Sequence, residues 1–208
     1  FKILMDEIHK YEGTINQFTG DGVMALFGAP LAHEDHAQRA CHAALSIQNA
    51  LTRYSQRLKE ECSIDFKMRI GLNSGHVVVG AIGDDLRMDY TAIGDTINLA
   101  ARVQQAATAG EVWMSQDTRN LVQGFFHDEP VGEIELKGKA QPQRVFRVVS
   151  EHSGIRTRFD AGIARGMTAF VGRRAELEIL KTALGIAKAR EAQVGDVVGE
   201  AWVGKSRL

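Results

Sequence analysis

Asp21 stands between two glycines in the stretch Gln17-Phe18-Thr19-Gly20-Asp21-Gly22-Val23-Met24-Ala25-Leu26. The flanks read as short apolar strands, and Gly20 and Gly22 permit the positive φ that a tight turn needs. A carboxylate held at the tip of such a hairpin is well placed as an oxygen ligand for Mg²⁺. An Asp-Gly pair alone is an ordinary hairpin turn, so the second block matters: Arg87-Met88-Asp89-Tyr90-Thr91-Ala92-Ile93-Gly94-Asp95-Thr96-Ile97-Asn98-Leu99-Ala100-Ala101-Arg102. Within it, Asn98 and Arg102 are four apart and share one helix face. A guanidinium fork suits phosphoryl oxygens. Near the C-terminus, Gly199-Glu200-Ala201-Trp202-Val203-Gly204-Lys205-Ser206 fits G-x-x-x-x-G-K-[ST]. In that pattern backbone amides cradle phosphates, Lys205 reaches the β/γ oxygens and Ser206 holds Mg²⁺.

These groups need elements to hold them. Ile3, Leu4 and Ile8 suit the last turns of a helix that Gly13 stops. Thr14–Phe18 and Val23–Phe27 form the hairpin, closed off by Gly28-Ala29-Pro30. Ala40, Ala44, Ile47, Leu51, Tyr54 and Leu58 mark one face of a long helix. Ile64, Phe66, Met68, Ile70 and Leu72 alternate with polar or small residues, which predicts a half-buried strand. Gly75 then turns the chain into a return strand from Val77. Asp95 or Thr96 caps a helix reaching about Ala107. Glu111–Met114 is a short strand, Ser115 caps a short helix, and strands at Ile134–Leu136 and Val145–Val149 close the pattern. The order predicts an α+β fold, a mainly antiparallel sheet with helices on one face.

The two blocks together resemble the catalytic domain of class III nucleotide cyclases, over residues 1–149. The resemblance implies a ferredoxin-like βαββαβ core whose first strand lies upstream of Phe1. It implies attack of a ribose 3′-hydroxyl on an α-phosphate, with two Mg²⁺ or Mn²⁺ ions on two aspartates. Asp21 matches one. The other belongs to an Asp-Ile-x-Gly-Phe motif ahead of Phe1, so residues 1–208 alone are expected to be inactive. By the same resemblance Asn98 orients the ribose and Arg102 stabilises charge on the reacting phosphate. Lys137, in Leu136-Lys137-Gly138-Lys139, binds triphosphate oxygens. Gln17 and Thr91 occupy the base-reading positions. Guanylate-making members carry glutamate and cysteine there. A carboxamide satisfies adenine, whereas guanine's two donors favour a carboxylate, so the pair favours ATP. Family members place the site between two catalytic domains, which implies a homodimer.

From Glu151 to Met167 the periodicity breaks, as in a linker, here placed at 150–168. Residues 169–208 resemble the beginning of an AAA or STAND-type α/β P-loop ATPase domain, with Gly199, Gly204, Lys205 and Ser206 at the phosphates. Trp202 stands where a small glycine is usual. The expected function is an adenylate cyclase making cyclic AMP in intracellular signalling. The alternative is a non-catalytic cyclase-like nucleotide-binding module that regulates a signalling ATPase.

Bulk properties agree. The 208 residues suffice for one domain and part of another, and a net charge of −1 advertises no nucleic-acid surface. No apolar run reaches the ~20 residues of a membrane span. Cys41 falls in the helical apolar pattern as a small core residue, and two cysteines make no disulfide framework. A cytoplasmic setting follows. The chain opens on Phe1 and ends inside a motif, as a piece of a longer polypeptide would. His33, Glu34, Asp35, His36 and His42 are read as lacking a metal role, because His33 and His36 precede the helix and His42 is on a different face from Ala40 and Ala44.

Overall fold

A computed structural model describes residues 1–82, 89–93, 95–134, 142–155, 160, 162, 172–189 and 192–198, with backbone alone for 79–82 and 89–93. The chain divides into two units, Phe1–Arg165 and Gly166–Leu208. The first runs α1 (Lys2–Lys10), β1 (Thr14–Thr19), β2 (Gly22–Leu26), α2 (His36–Cys62), β3 (Ile70–Leu72), β4 (Val78–Ile82), β5 (Asp89–Ile93), α3 (Asp95–Ala106), β6 (Val112–Ser115), α4 (Gln116–Val122), β7 (Phe126–Ile134) and β8 (Gln143–Glu151). The second unit contributes α5 (Arg174–Lys188).

The central sheet has strand order β3-β6-β8-β7. β3 and β6 are parallel, and the other pairings are antiparallel. β1–β2 and β4–β5 are separate antiparallel hairpins. A parallel β3–β6 pair requires a crossover, and α3 lies on that path.

Helices cover both faces of the sheet, which corrects the one-face expectation. On α2, Ala37, Cys41 and Ala44 pack with Val112 and Met114 of β6 and Phe146 and Val148 of β8. On α3, Leu99 and Val103 pack with Trp113, between Val112 and Met114, and with Val145, next to Phe146. Successive strand residues point to opposite faces, so α2 and α3 lie on opposite sides. Val112-Trp113-Met114 has no polar alternation, and a strand apolar on both faces needs cover on both. Cys41 is fully buried, and burial pushes its thiol up to about 12. A third cluster joins Leu4 and Ile8 of α1 to Ile47 and Leu51 of α2 and to Ile15, Val23 and Ala25 of the hairpin.

Three local expectations differ from the structure. The alternating run from Ile64 yields a strand only at Ile70–Leu72, with Ile64 and Phe66 exposed. There the backbone N–H of Phe66 donates to Ser55 Oγ of α2 at 3.1 Å instead of to a neighbouring strand. β3 pairs with β6 rather than with the return strand, which pairs with β5. β7 starts at Phe126, well ahead of Ile134. Pro130 and Gly132 disguise it, and both sit at a bulge in this edge strand, where such residues are tolerated. The Ser115 cap is as expected: Ser115 Oγ accepts from the Thr118 N–H at 3.3 Å.

Candidate active site

The β1–β2 hairpin closes at the Thr19–Gly22 pair, leaving Gly20 and Asp21 as a two-residue loop. Gly20 has φ +65°, while Asp21 is not among the residues with positive φ. Positive φ at the first loop position only is the pattern of a type II′ turn, which favours glycine there. Gly22 serves a different end: a Cβ on it would stand 3.0 Å from Thr19 Oγ1. Asp21 is exposed at the tip. A hard divalent ion prefers such an oxygen ligand on a fixed turn, so this residue fits Mg²⁺ or Mn²⁺ as one ligand of a larger set.

Gln17 faces outward because β1 carries a bulge. Ile15 pairs with Ala25 and Gln17 with Met24, leaving Asn16 as the extra residue. Ile15, Val23 and Ala25 face the α1–α2 cluster. Without the bulge, Gln17 would follow Ile15 inward. With it, Gln17 shares the outer face with Met24. Asn16 Oδ1 is buried with no hydrogen-bond partner.

Asn98 and Arg102 lie one turn apart on α3, Asn98 exposed and Arg102 half-buried. The adjacent pair Leu99 and Val103 is buried, which fixes the rotation of the helix about its axis. Beneath α3, a Cβ on Gly71 would meet Gln104 N at 2.2 Å and Ala100 O at 2.6 Å. Glycine is required for that approach. Gly75 is similarly tight against Thr96 Oγ1, at 2.7 Å from its would-be Cβ.

Thr91 lies on β5 opposite Gly80. β1 adjoins β5, and β5 adjoins α3. The elements that carry Gln17, Thr91 and the Asn98–Arg102 pair are therefore contiguous. Lys137, Gly199, Gly204, Lys205 and Ser206 lie outside the described residues.

The entry to β6 holds a second polar cluster. Glu111 accepts from the Trp113 indole at 2.8 Å and from Arg147 Nη1 at 2.9 Å. The indole bond leads in holding the Glu111 carboxyl below its usual range; desolvation opposes it and Arg147 reinforces it. His36 Nδ1 lies 3.0 Å from the His33 carbonyl and His42 Nδ1 lies 2.7 Å from Glu151, while His33 Nε2, 3.1 Å from Glu12, is buried without a hydrogen bond.

Arg69, Gly71 and Asn73 flank or form β3 and face α3. In the sequence their alternation is visible only as the polar or small side of a half-buried strand.

Residues 2–149 match the adenylate and guanylate cyclase catalytic domain. "Adenylate cyclase 1" of Rhizobium meliloti is 30% identical over 166 residues, covering 79% of this chain and 25% of that protein. The adenylyl cyclase CyaB from P. aeruginosa superposes with a TM-score of 0.68 at 31% identity, covering 74% of this chain and 81% of that one. The guanylyl cyclase Cya2 gives a TM-score of 0.67 at 31% identity, covering 74% and 78%. The chain spans about a quarter of the length of the curated relatives it matches. With a domain match over residues 2–149 and a backbone shared with makers of both cyclic nucleotides, the chain belongs to the adenylate and guanylate cyclase catalytic domain family.

Proposed function

We propose that the complete polypeptide is an adenylate cyclase that converts ATP to cyclic AMP and pyrophosphate. The observation that carries the choice of base is Gln17 on the outer face of β1, with a carboxamide where a guanine reader needs a carboxylate. Thr91, on the adjoining β5, is the second base-reading position in this reading.

In the reaction the ribose 3′-oxygen forms a bond to the α-phosphorus. The bond from that phosphorus to the bridging oxygen breaks, pyrophosphate leaves, and the hydroxyl proton passes to solvent. Asn98 orients the ribose. Arg102 stabilises charge growing on the α-phosphate, where a preorganised cation acts most strongly. Lys137 holds the triphosphate. Asp21 supplies one carboxylate to the Mg²⁺ or Mn²⁺ pair, and the bound ions would offset phosphate charge. A homodimer completes two sites in this reading, an isologous arrangement. The linker expected at 150–168 begins only past β8, which runs to Glu151, and 169–208 open a P-loop ATPase domain, supported by the Gly199–Ser206 motif. The setting is cytoplasmic; among the described residues no helix is long and apolar enough to cross a membrane.

The test is cyclic nucleotide formation by the complete polypeptide with Mn²⁺ and either ATP or GTP. The expected results are preference for ATP, loss of turnover in Asp21→Ala, and a shift toward GTP in the Gln17→Glu/Thr91→Cys double variant. Preference for GTP in the wild type would overturn the base assignment. Nucleotide binding without any cyclisation would favour the regulatory module instead.

A further inference from the structure

Arg69, Gly71 and Asn73 recur at every second position and so share one side of the β3 segment. All three address α3. Arg69 Nη1 donates to the Gln105 carbonyl at 3.3 Å in the last turn, where the helix dipole favours positive charge. Gly71 admits the middle of the helix. Asn73 Nδ2 donates to the Thr96 carbonyl at 2.8 Å in the first turn.

Asn73 is itself gripped from the other side. Its Oδ1 accepts from Ser115 Oγ at 2.6 Å. Ser115 also caps α4 through the Thr118 N–H, and Ser115 and Thr118 are both buried. Ser74 Oγ lies 3.0 Å from Thr118 Oγ1, and Thr96 Oγ1 donates to the His76 carbonyl at 2.7 Å. One amide thus ties the start of α4 to the start of α3.

Apolar packing of Leu99 and Val103 is non-directional and resists sliding weakly. A satisfied polar network specifies one geometry. The Thr96 carbonyl that Asn73 holds is two residues ahead of Asn98 and one further turn ahead of Arg102.

We propose that Asn73 is a positioning residue for nucleotide cyclisation. Clamped by Ser115, its amide fixes the height of α3 along the sheet, which apolar burial leaves free, and thereby the Asn98 and Arg102 side chains. The role in turnover rests on the cyclase reading above; the clamp itself does not.

Asn73→Asp keeps the shape of the side chain but turns an acceptor toward the Thr96 carbonyl. In the complete polypeptide, kcat with Mn²⁺ and ATP should fall about 10–100-fold while KM stays within about threefold, as expected for misplaced reacting groups. In an Asn98→Ala/Arg102→Ala background, which removes both groups it positions, the same change should add less than about threefold. Equal losses in both backgrounds would overturn the positioning role. Hydrogen exchange gives a readout independent of turnover: the amides of residues 99–102, which donate to the first-turn carbonyls of α3, should exchange at least about tenfold faster, with α2 unchanged. Unchanged protection there would overturn the clamp. Ser115→Ala, which leaves the Asn73 amide unclamped, should give the same exchange signature at smaller amplitude and serves if Asn73→Asp does not fold. A wild type that makes no cyclic nucleotide would sink the cyclase reading, while the exchange result would still decide the clamp.

Discussion

Gly71 and Gln104 lie so close that the Cβ missing from Gly71 would stand 2.2 Å from the Gln104 backbone nitrogen. Both sides of this contact are backbone, one on β3 and one on α3, so neither can yield by a rotamer change. Gly71→Ala should force the helix off the sheet. Overpacking of this kind costs about 3 kcal/mol, or roughly 6–12 °C in Tm for a domain of this size. Thermal unfolding of the variant measures it. A shift under about 2 °C would mean that α3 rides higher on the sheet than described.

Arg102→Ala tests whether its charge acts in the transition state. The guanidinium should matter most as negative charge develops on the phosphate, so kcat should fall about 10²–10³-fold. Binding of a non-cyclisable ATP analogue should change little. A normal kcat with a raised KM would reassign Arg102 to ground-state binding.

Acid should weaken the fold through Glu111. Its carboxyl is held below the ordinary 4.5 by the Trp113 indole first, with Arg147 assisting. A lowered folded-state value means that the contribution is present above the ordinary glutamate range and is lost as pH falls through the lowered value. Glu111→Gln should therefore cost stability at neutral pH and progressively less as pH falls below the ordinary glutamate range. Denaturant unfolding of the two proteins across that range measures the difference. A pH-independent gap would show that packing, not the ionised carboxylate, carries the effect.

The sequence was legible wherever local chemistry decides structure. The Gly20-Asp21 turn, the Ser115 cap, the buried stripe of α2 through Cys41 and the α3 segment all depend on residues near in the chain. The side of the sheet taken by α3 was not legible from periodicity, although Val112-Trp113-Met114 carried the signal. Strand partners were harder still. Nothing near Ile70 specifies that β3 pairs in parallel with β6 across the β4–β5 hairpin and α3. At the candidate site, the chemical groups could be read from residue types, whereas the residues that hold them could not. Asn73 and Ser115 are 42 apart, and only the fold brings them within hydrogen-bond reach.

The Asn16 bulge also bears on how the hairpin can diverge. Before it, the inward position is Ile15; after it, Gln17 pairs with Met24 on the outer face. Selection for a packed interior and selection for a chosen base therefore act on separately phased sets of positions in one short strand. If Gln17 reads the base as proposed, it can be exchanged for another reader while Ile15 stays apolar, and nucleotide preference then changes by point substitution, with no rearrangement of the interior that supports it.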